Sequence, residues 1–206
     1  MKIVKLIFSL IFIGILPISC FCPPPKEGPY KVSFSQIVVY KQDYLKLFQN
    51  GNYNAYLANN EVFAGDTLKM GLDYMFNFAD SNPAGLDFTN SAYAFQCDDE
   101  PIFKELKDKV KNISITSDTI FNNLKPGDLL NDNVLIGPFR NGPFISINNY
   151  IEKFNTLDGN NFFREDNQLF YITEKPKSRQ RHKFTITFTF ESGKTETAET
   201  PRIIWQ

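Results

Sequence analysis

The side chains best suited to nucleophilic or metal chemistry are scarce in this chain, which has three cysteines and one histidine, His182. These soft ligands are too few for a zinc cluster, and no imidazole is spare for a separate metal site. A nucleophilic Cys97 would need a base, and His182 is the one imidazole that could serve. The composition therefore predicts no metal site, no cofactor and no catalytic residue.

Two short segments of the chain concentrate carboxylates. Asp98, Asp99 and Glu100 are consecutive, and Asp128 and Asp132 lie near asparagines in a glycine-containing segment. Oxygen clusters suit calcium, but this spacing matches no EF-hand loop, and such runs usually form turns that bond their own backbone. We therefore predict solvated turns. Glycoside hydrolysis would need two carboxylates facing each other across a cleft, which sequence adjacency neither supplies nor excludes.

The one concentrated basic run spans residues 177–183 and includes His182. Its cationic neighbours should disfavour the charged form of the imidazole. We interpret the run as a solvated loop, and the alternative is contact with an anionic head group or a glycan.

Aromatic residues are abundant, with 21 phenylalanines, nine tyrosines and one tryptophan. Several lie in polar segments, namely Tyr53, Tyr56, Phe139, Phe144, Phe162 and Phe163. Exposed aromatic rings commonly grip sugar rings or peptide strands. Because the inner faces of a thin sandwich also bury many aromatic side chains, we predict that most of these rings pack in the core.

The N-terminal segment has the arrangement of a secretion signal, since Lys2 and Lys5 flank the start of an apolar stretch at residues 6–16. The stretch is shorter than the roughly 20 residues that a membrane-spanning helix needs. Ser19 then precedes Cys20, and this arrangement resembles the lipobox of bacterial lipoproteins, in which the cysteine is acylated.

This resemblance implies that residues 1–19 are a lipoprotein signal peptide and that Cys20 carries the lipid. The proline-rich residues 20–29 would form a tether. The protein would be anchored to the inner or outer membrane of the cell envelope, with its domain outside the cytoplasm. A soluble secreted protein cut near Ser19 and an uncleaved anchor remain the alternatives.

From Tyr30 onward the main hydrophobic period is two, which is typical of half-buried strands. Alternate residues from Leu68 to Phe78 are apolar, and in residues 184–190 phenylalanine and isoleucine alternate with threonine. Weaker strands are predicted at residues 32–40, 93–97, 112–117 and 168–173. A tight turn with Gly193 in the left-handed conformation should return residues 195–205 beside the preceding strand.

Helical signals are few. Ser146 can cap a helix with apolar residues at i, i+3, i+4 and i+7, namely Ile147, Tyr150, Ile151 and Phe154. Shorter helical turns are possible at residues 43–48 and 101–106. Seven or eight closely spaced strands predict a mainly β fold, an antiparallel two-sheet sandwich with one or two short helices, in a single domain over residues 30–206. A barrel is the structural alternative.

Residues 90–133 carry a pattern of a small residue before Tyr-Ala, a nearby cysteine, a strand of the I-x-I-T-S type, Phe121-Asn122 and a Gly-Asp-Leu-Leu-Asn-Asp run that begins at Gly127. This pattern resembles a family of uncharacterised lipoproteins from Bacteroidota. The resemblance implies an immunoglobulin-like sandwich and an envelope location, and it supplies no catalytic residue. Cysteines at the positions of Cys22 and Cys97 are common in that family, which, with an oxidising location, implies a disulfide between them.

The formal net charge of −1 shows no basic surface for nucleic acid, so no nucleic-acid partner is expected. The expected partners are the membrane, through the N-terminal lipid, and a glycan or protein ligand. We therefore predict a non-catalytic binding or assembly module on a lipid anchor. The alternatives are a carboxylate-dependent glycan hydrolase on the same anchor and a fimbria-like adhesion subunit with an exposed edge strand.

Overall fold

The computed structural model describes residues 27–42, 55–79, 102–138, 143–156 and 168–206. These residues form eleven β-strands, one α-helix and a short 3-10 helix at Asn131–Asn133. The elements are β1 (Glu27–Tyr40), β2 (Val62–Phe63), β3 (Leu68–Phe78), β4 (Ile102–Leu106), β5 (Val110–Ser117), β6 (Val134–Pro138), α1 (Ile147–Thr156), β7 (Gln168–Ile172), β8 (Gln180–His182), β9 (Phe184–Phe190), β10 (Thr195–Glu199) and β11 (Ile203–Trp205).

The strands form three sheets. A five-stranded sheet has the order β4-β1-β3-β7-β6, and two three-stranded sheets have the orders β10-β9-β5 and β2-β11-β8. Neighbouring strands are antiparallel except for two parallel pairs, β1 with β4 and β2 with β11. The prediction of a mainly β sandwich with a short helix is confirmed, and the parallel pairs and the small third sheet are additions to it.

Hydrophobic side chains from the five-stranded sheet and from the β10-β9-β5 sheet meet in one core. The even residues of β3 from Leu68 to Phe78 belong to or pack against this core, as their alternation predicts. The Phe34 ring of β1 stacks on the Phe188 ring of β9, with ring centroids 4.1 Å apart. This contact joins the inner faces of the two sheets, which is the arrangement that defines a sandwich.

Helix α1 covers one side of the core and confirms the predicted helix. The Ser146 hydroxyl accepts a hydrogen bond from the Asn149 amide at 3.3 Å, so it caps the first turn. The buried apolar residues Ile147, Tyr150 and Phe154 form the inward stripe of the helix. The helix therefore begins at its cap and is held by an amphipathic face.

Asparagine side chains close the free edge of β5. The Asn131 amide accepts a hydrogen bond from Ile115 N at 3.0 Å and donates one to Ile113 O at 2.7 Å. The Asn155 amide makes the same pair of bonds with Val110 N and O, both at 2.8 Å. Each side chain thus replaces a neighbouring strand, which protects an edge that would otherwise template pairing with another chain.

Two local predictions are wrong. The helical turn expected at residues 101–106 is strand β4, because its backbone pairs in parallel with the start of β1 and this pairing overrides the local apolar spacing. The strand expected to run through residues 195–205 is two strands in different sheets, separated at Pro201, which has no N–H to continue a ladder. The elements expected at residues 43–48 and 93–97 lie outside the described residues.

Candidate functional site

The predicted lipidation site, Cys20, and the predicted disulfide partners, Cys22 and Cys97, lie outside the described residues, as does the acidic run 98–100. No helix in the described ranges combines the length and apolarity needed to cross a membrane. Within the same ranges, no three His, Cys, Asp or Glu residues come together as metal ligands.

Four members of the Gly-Asp-Leu-Leu-Asn-Asp run, which begins at Gly127, have structural roles. Asp128 accepts a hydrogen bond from Lys125 N at 2.7 Å, which confirms the predicted turn that bonds its own backbone. Gly127 has φ of +86°, a conformation that glycine adopts at low cost. Leu130 is buried, and the Asn131 amide closes the β5 edge. These four residues therefore shape the fold.

His182 is fully buried, so the prediction of a solvated loop is wrong for this residue. Its Nδ1 lies 3.1 Å from the Ser117 hydroxyl, and its ring stacks on Phe184 with centroids 5.6 Å apart. Burial lowers the pKa of His182 below its ordinary value, while the charge of Asp118 opposes part of this shift. The cause is therefore burial and not the cationic neighbours, and the serine-histidine pair is sealed from any substrate.

The solvent exposure predicted for the basic run is confirmed at Lys177, Arg179 and Arg181, but residues 180–182 form strand β8 and not a loop. Alternation along β8 explains the difference, since Arg181 and His182 must point to opposite faces of the strand.

An open depression of about 310 Å³ lies where β1, the β4–β5 turn and the β9–β10 hairpin meet. Its lining residues are Lys31, Val32, Leu106, Asp108, Phe190 and Lys194. Asp108 is the one carboxylate in this lining, and it accepts hydrogen bonds from the amide and hydroxyl of Ser192. The depression therefore lacks the opposed pair of carboxylates that glycoside hydrolysis uses.

The outer face of the five-stranded sheet carries a different arrangement, in which side chains from four strands align in two rows. The first row is Tyr40, Lys69, Tyr171 and Leu135, and the second is Val38, Gly71, Leu169 and Gly137. Residues in a row are direct cross-strand neighbours, with strands about 4.8 Å apart. The sheet register thus brings residues distant in sequence onto one face of the sheet, where Tyr40, Leu169 and Tyr171 are buried in a second hydrophobic cluster.

Two further rings flank these rows, one beside Tyr40 in the first row and one over Gly137 in the second. Tyr56 pairs with Tyr40 through a backbone bridge, and their ring centroids are 5.2 Å apart. Phe144 meets Tyr171 edge to face, with centroids 4.9 Å apart. Tyr56 is 40% exposed and Phe144 is 55% exposed, whereas Tyr40 and Tyr171 are buried. We call Tyr56, Tyr40, Lys69, Tyr171 and Phe144 the aromatic row.

Glycine and a hydrogen bond hold the rings of the aromatic row in place. A Cβ on Gly137 would lie 2.6 Å from Cδ1 of Phe144, so this ring lies directly over the glycine backbone. A Cβ on Gly71 would lie 3.1 Å from the Tyr40 ring. The Tyr171 hydroxyl donates to Pro138 O at 2.8 Å. Phe144, Tyr40 and Tyr171 are therefore packed or hydrogen-bonded without a ligand, which limits the entropy that they would lose on binding.

Lys69 is the one charged side chain among the eight positions of the two rows. Its Nζ lies 5.8 Å from the centroid of the Tyr171 ring, within range of a cation–π interaction. Partial burial lowers the pKa of Lys69 below its ordinary value.

The aromatic row was not predicted from the sequence, since core packing was expected for Tyr56 and Phe144. The available signal was their position in polar segments, which is typical of exposed residues. Tyr53, Phe139, Phe162 and Phe163 lie outside the described residues.

No family model, curated protein or solved structure matches the chain. The aromatic row is therefore the candidate site on the grounds of its geometry.

Proposed function

We propose that this protein is a cell-envelope lipoprotein whose sandwich is a non-catalytic binding module, and that the ligand binds at the aromatic row. The exposure of Tyr56 and Phe144, each packed against a buried tyrosine of the sheet face, is the observation that carries the proposal. Rigid aromatic rings give large contact areas at a low entropic cost, which suits them to recognition.

The anchoring part of this proposal rests on the lipobox-like sequence at Cys20 and on the resemblance of residues 90–133 to Bacteroidota lipoproteins. Because β1 begins at Glu27, only residues 21–26 separate the lipidated residue from the first strand. A fully extended connection of this length spans at most about 25 Å. The domain would therefore act close to the membrane surface.

Binding can be tested on the glycan, lipid and protein fractions of the native host's envelope, immobilised for biolayer interferometry. We expect saturable binding of the wild-type domain to one fraction and its loss in the double variant Tyr56→Ser/Phe144→Ser. Thr187→Ala, on the outer face of β9, is the control and should bind like the wild type. Binding by the double variant equal to that of the wild type would refute the role of the aromatic row.

The anchor can be tested by growing cells with a clickable fatty acid. Wild-type protein and Cys22→Ala should be labelled, whereas Cys20→Ala should not. Label retained in Cys20→Ala would exclude acylation at this residue.

The proposal includes a disulfide between Cys22 and Cys97, as the family resemblance implies. Alkylation of the denatured mature protein should modify neither thiol without reductant and both after reduction. Two reactive thiols before reduction would contradict the bond.

A further inference from the structure

Three cations of the basic run, Lys177, Arg179 and Arg181, form a group that we call the basic patch. All three are exposed, and in the part of the chain that the structure describes no acidic side chain lies within 4.0 Å of their charged atoms. The chain between the outer two spans at most about 14 Å. Their positive charge is therefore concentrated on a short stretch of accessible surface.

Three carboxylates beside the basic patch pair with other cations and do not neutralise it. These ion pairs are Asp118 with Arg202, Glu199 with Lys183 and Asp66 with Lys175. Two of the paired cations, Lys175 and Lys183, flank the basic patch in the sequence. This surface thus carries an excess of positive charge, although the formal net charge of the chain is −1.

Side chains of the loop after β5 hold the backbone that carries the basic patch. The Asn122 side-chain oxygen accepts a hydrogen bond from Lys177 N at 2.7 Å, and the Thr119 hydroxyl donates one to Arg181 O at 2.6 Å. Pro176 is buried. Because this backbone is held without a ligand, binding costs less conformational entropy than it would on a flexible loop.

The basic patch lies at the end of the domain remote from the proposed lipid anchor. β1 begins at Glu27, seven residues after Cys20, and its 14 residues extend over about 45 Å. Just beyond its far end Lys41 pairs with Glu61 at 2.9 Å, directly before β2. Since β2, β11 and β8 form one sheet, Arg181 of β8 lies at this far end. A domain standing on its tether would hold the basic patch away from the anchoring membrane, which favours a polymer over the head groups of that membrane.

Aliphatic side chains continue the surface beside Arg181. In the small sheet Arg181 lies opposite Ile204, and Ile204 lies opposite Val62, which is 41% exposed. A sugar polymer that crosses this row can place C–H groups on the aliphatic side chains while its anions contact the basic patch. Guanidinium groups bind sulfate, phosphate and carboxylate oxygens in a planar, two-pronged geometry, so all three anions are suitable.

We infer that the basic patch binds an anionic polysaccharide, with the charged groups of successive sugars at Lys177, Arg179 and Arg181. This site is separate from the aromatic row and does not depend on a ligand there. The choice of a polysaccharide over a membrane surface rests on the proposed anchor, so the experiment includes both.

The test is calorimetric titration of the full chain, purified in an uncharged detergent, with dextran sulfate and with uncharged dextran of the same length. Dextran sulfate should bind and dextran should not. Lys177→Gln/Arg179→Gln/Arg181→Gln should weaken the binding of dextran sulfate at least about tenfold. Higher salt should weaken binding by the wild type more steeply than binding by this triple variant.

The matched control is Lys31→Gln/Lys109→Gln/Lys111→Gln, which removes three exposed positive charges elsewhere on the domain. It should bind dextran sulfate within about twofold of the wild type, because charges beyond the screening length contribute little. Equal losses in the two triple variants would show that net charge alone governs binding and would overturn the inference, as would the absence of binding to dextran sulfate.

Vesicles of phosphatidylcholine with and without phosphatidylglycerol test the lipid surface. If the protein prefers the anionic vesicles through the basic patch and does not bind dextran sulfate, the ligand is a membrane and the polysaccharide assignment is wrong. Tyr56→Ser/Phe144→Ser should bind dextran sulfate like the wild type, so this inference and the proposed function can fail separately. Circular dichroism of each variant confirms that the compared proteins are folded.

Discussion

The two outer faces of the sandwich differ in chemistry, although both belong to sheets with the same alternation. The outer positions of the β10-β9-β5 sheet are small or polar: Asn112, Ser114, Thr116, Thr185, Thr187, Thr189, Thr195, Thr197 and Glu199. The five-stranded sheet instead carries the aromatic row. Threonine satisfies both strand geometry and hydration, so the first face is what an ordinary solvated sheet requires. The comparison shows that exposed rings are not a requirement of this fold.

The largest expected difference between the two faces concerns stability. Tyr171→Ala removes a ring that is 6% exposed and packed against Phe144, so we expect a loss of about 3 kcal/mol in the free energy of unfolding. Thr187→Ala should cost less than about 1 kcal/mol, because its side chain is on the outer face of β9 and only partly buried. Urea unfolding measures both. Equal losses would mean that the inner rings of the aromatic row do not stabilise the sheet.

The polar sheet ends at β5, where the side chain of Asn131 closes the free edge. Asn131→Asp keeps an acceptor for Ile115 N but loses the donor to Ile113 O, which leaves a carbonyl facing a carboxylate. We expect a loss of about 1–3 kcal/mol. Asn123→Asp, an exposed position in the same loop, makes the same charge change and is the control. A loss no larger than that of the control would show that Asn131 does not close this edge.

The sequence predicted those features that depend on local periodicity. The inner faces of β3 and β9, the helix after Ser146 and the turn at Gly193 each follow from spacing within a few residues. The assignment of β4, the Asn131 contact with β5 and the aromatic row depend on the register between distant strands. Tyr56 and Tyr171 lie on the same face of the sheet only because β3 lies between β1 and β7. This strand order cannot be read from the local sequence of any one strand.

Basic side chains provide a third comparison, because Lys69 lies on the outer face whereas His182 lies in the core. The folded-state pKa of His182 is lowered, so its contribution to stability is complete above the ordinary value of 6.5 and is lost as pH falls below it. The slope should not exceed about 1.4 kcal/mol per pH unit for one proton. Urea unfolding between pH 7.5 and 5 should show this decline, and His182→Gln should remove it.

The single imidazole of the chain also gives an unambiguous NMR titration. We expect a pKa for His182 in the folded protein below 6.5. A value at or above 6.5 would contradict the burial of this ring.

The smallest expected effect on stability comes from Gly137→Ala. This variant keeps the Phe144 ring but changes its position, so it tests whether the position matters for binding. The new Cβ would displace the Phe144 ring, which is more than half exposed and can rotate toward solvent. The lost contact with Tyr171 and the entropic gain from replacing glycine should nearly cancel, leaving unfolding within about 1 kcal/mol of the wild type. Binding at the aromatic row should nevertheless weaken, because the Phe144 ring is still present but no longer lies over residue 137.

The control is Gly127→Ala, at a positive φ outside this face. It should show the opposite pattern, with lower stability and unchanged binding. If Gly137→Ala binds like the wild type, then Phe144 contributes only contact area to the ligand, and the orientation of its ring does not matter for recognition.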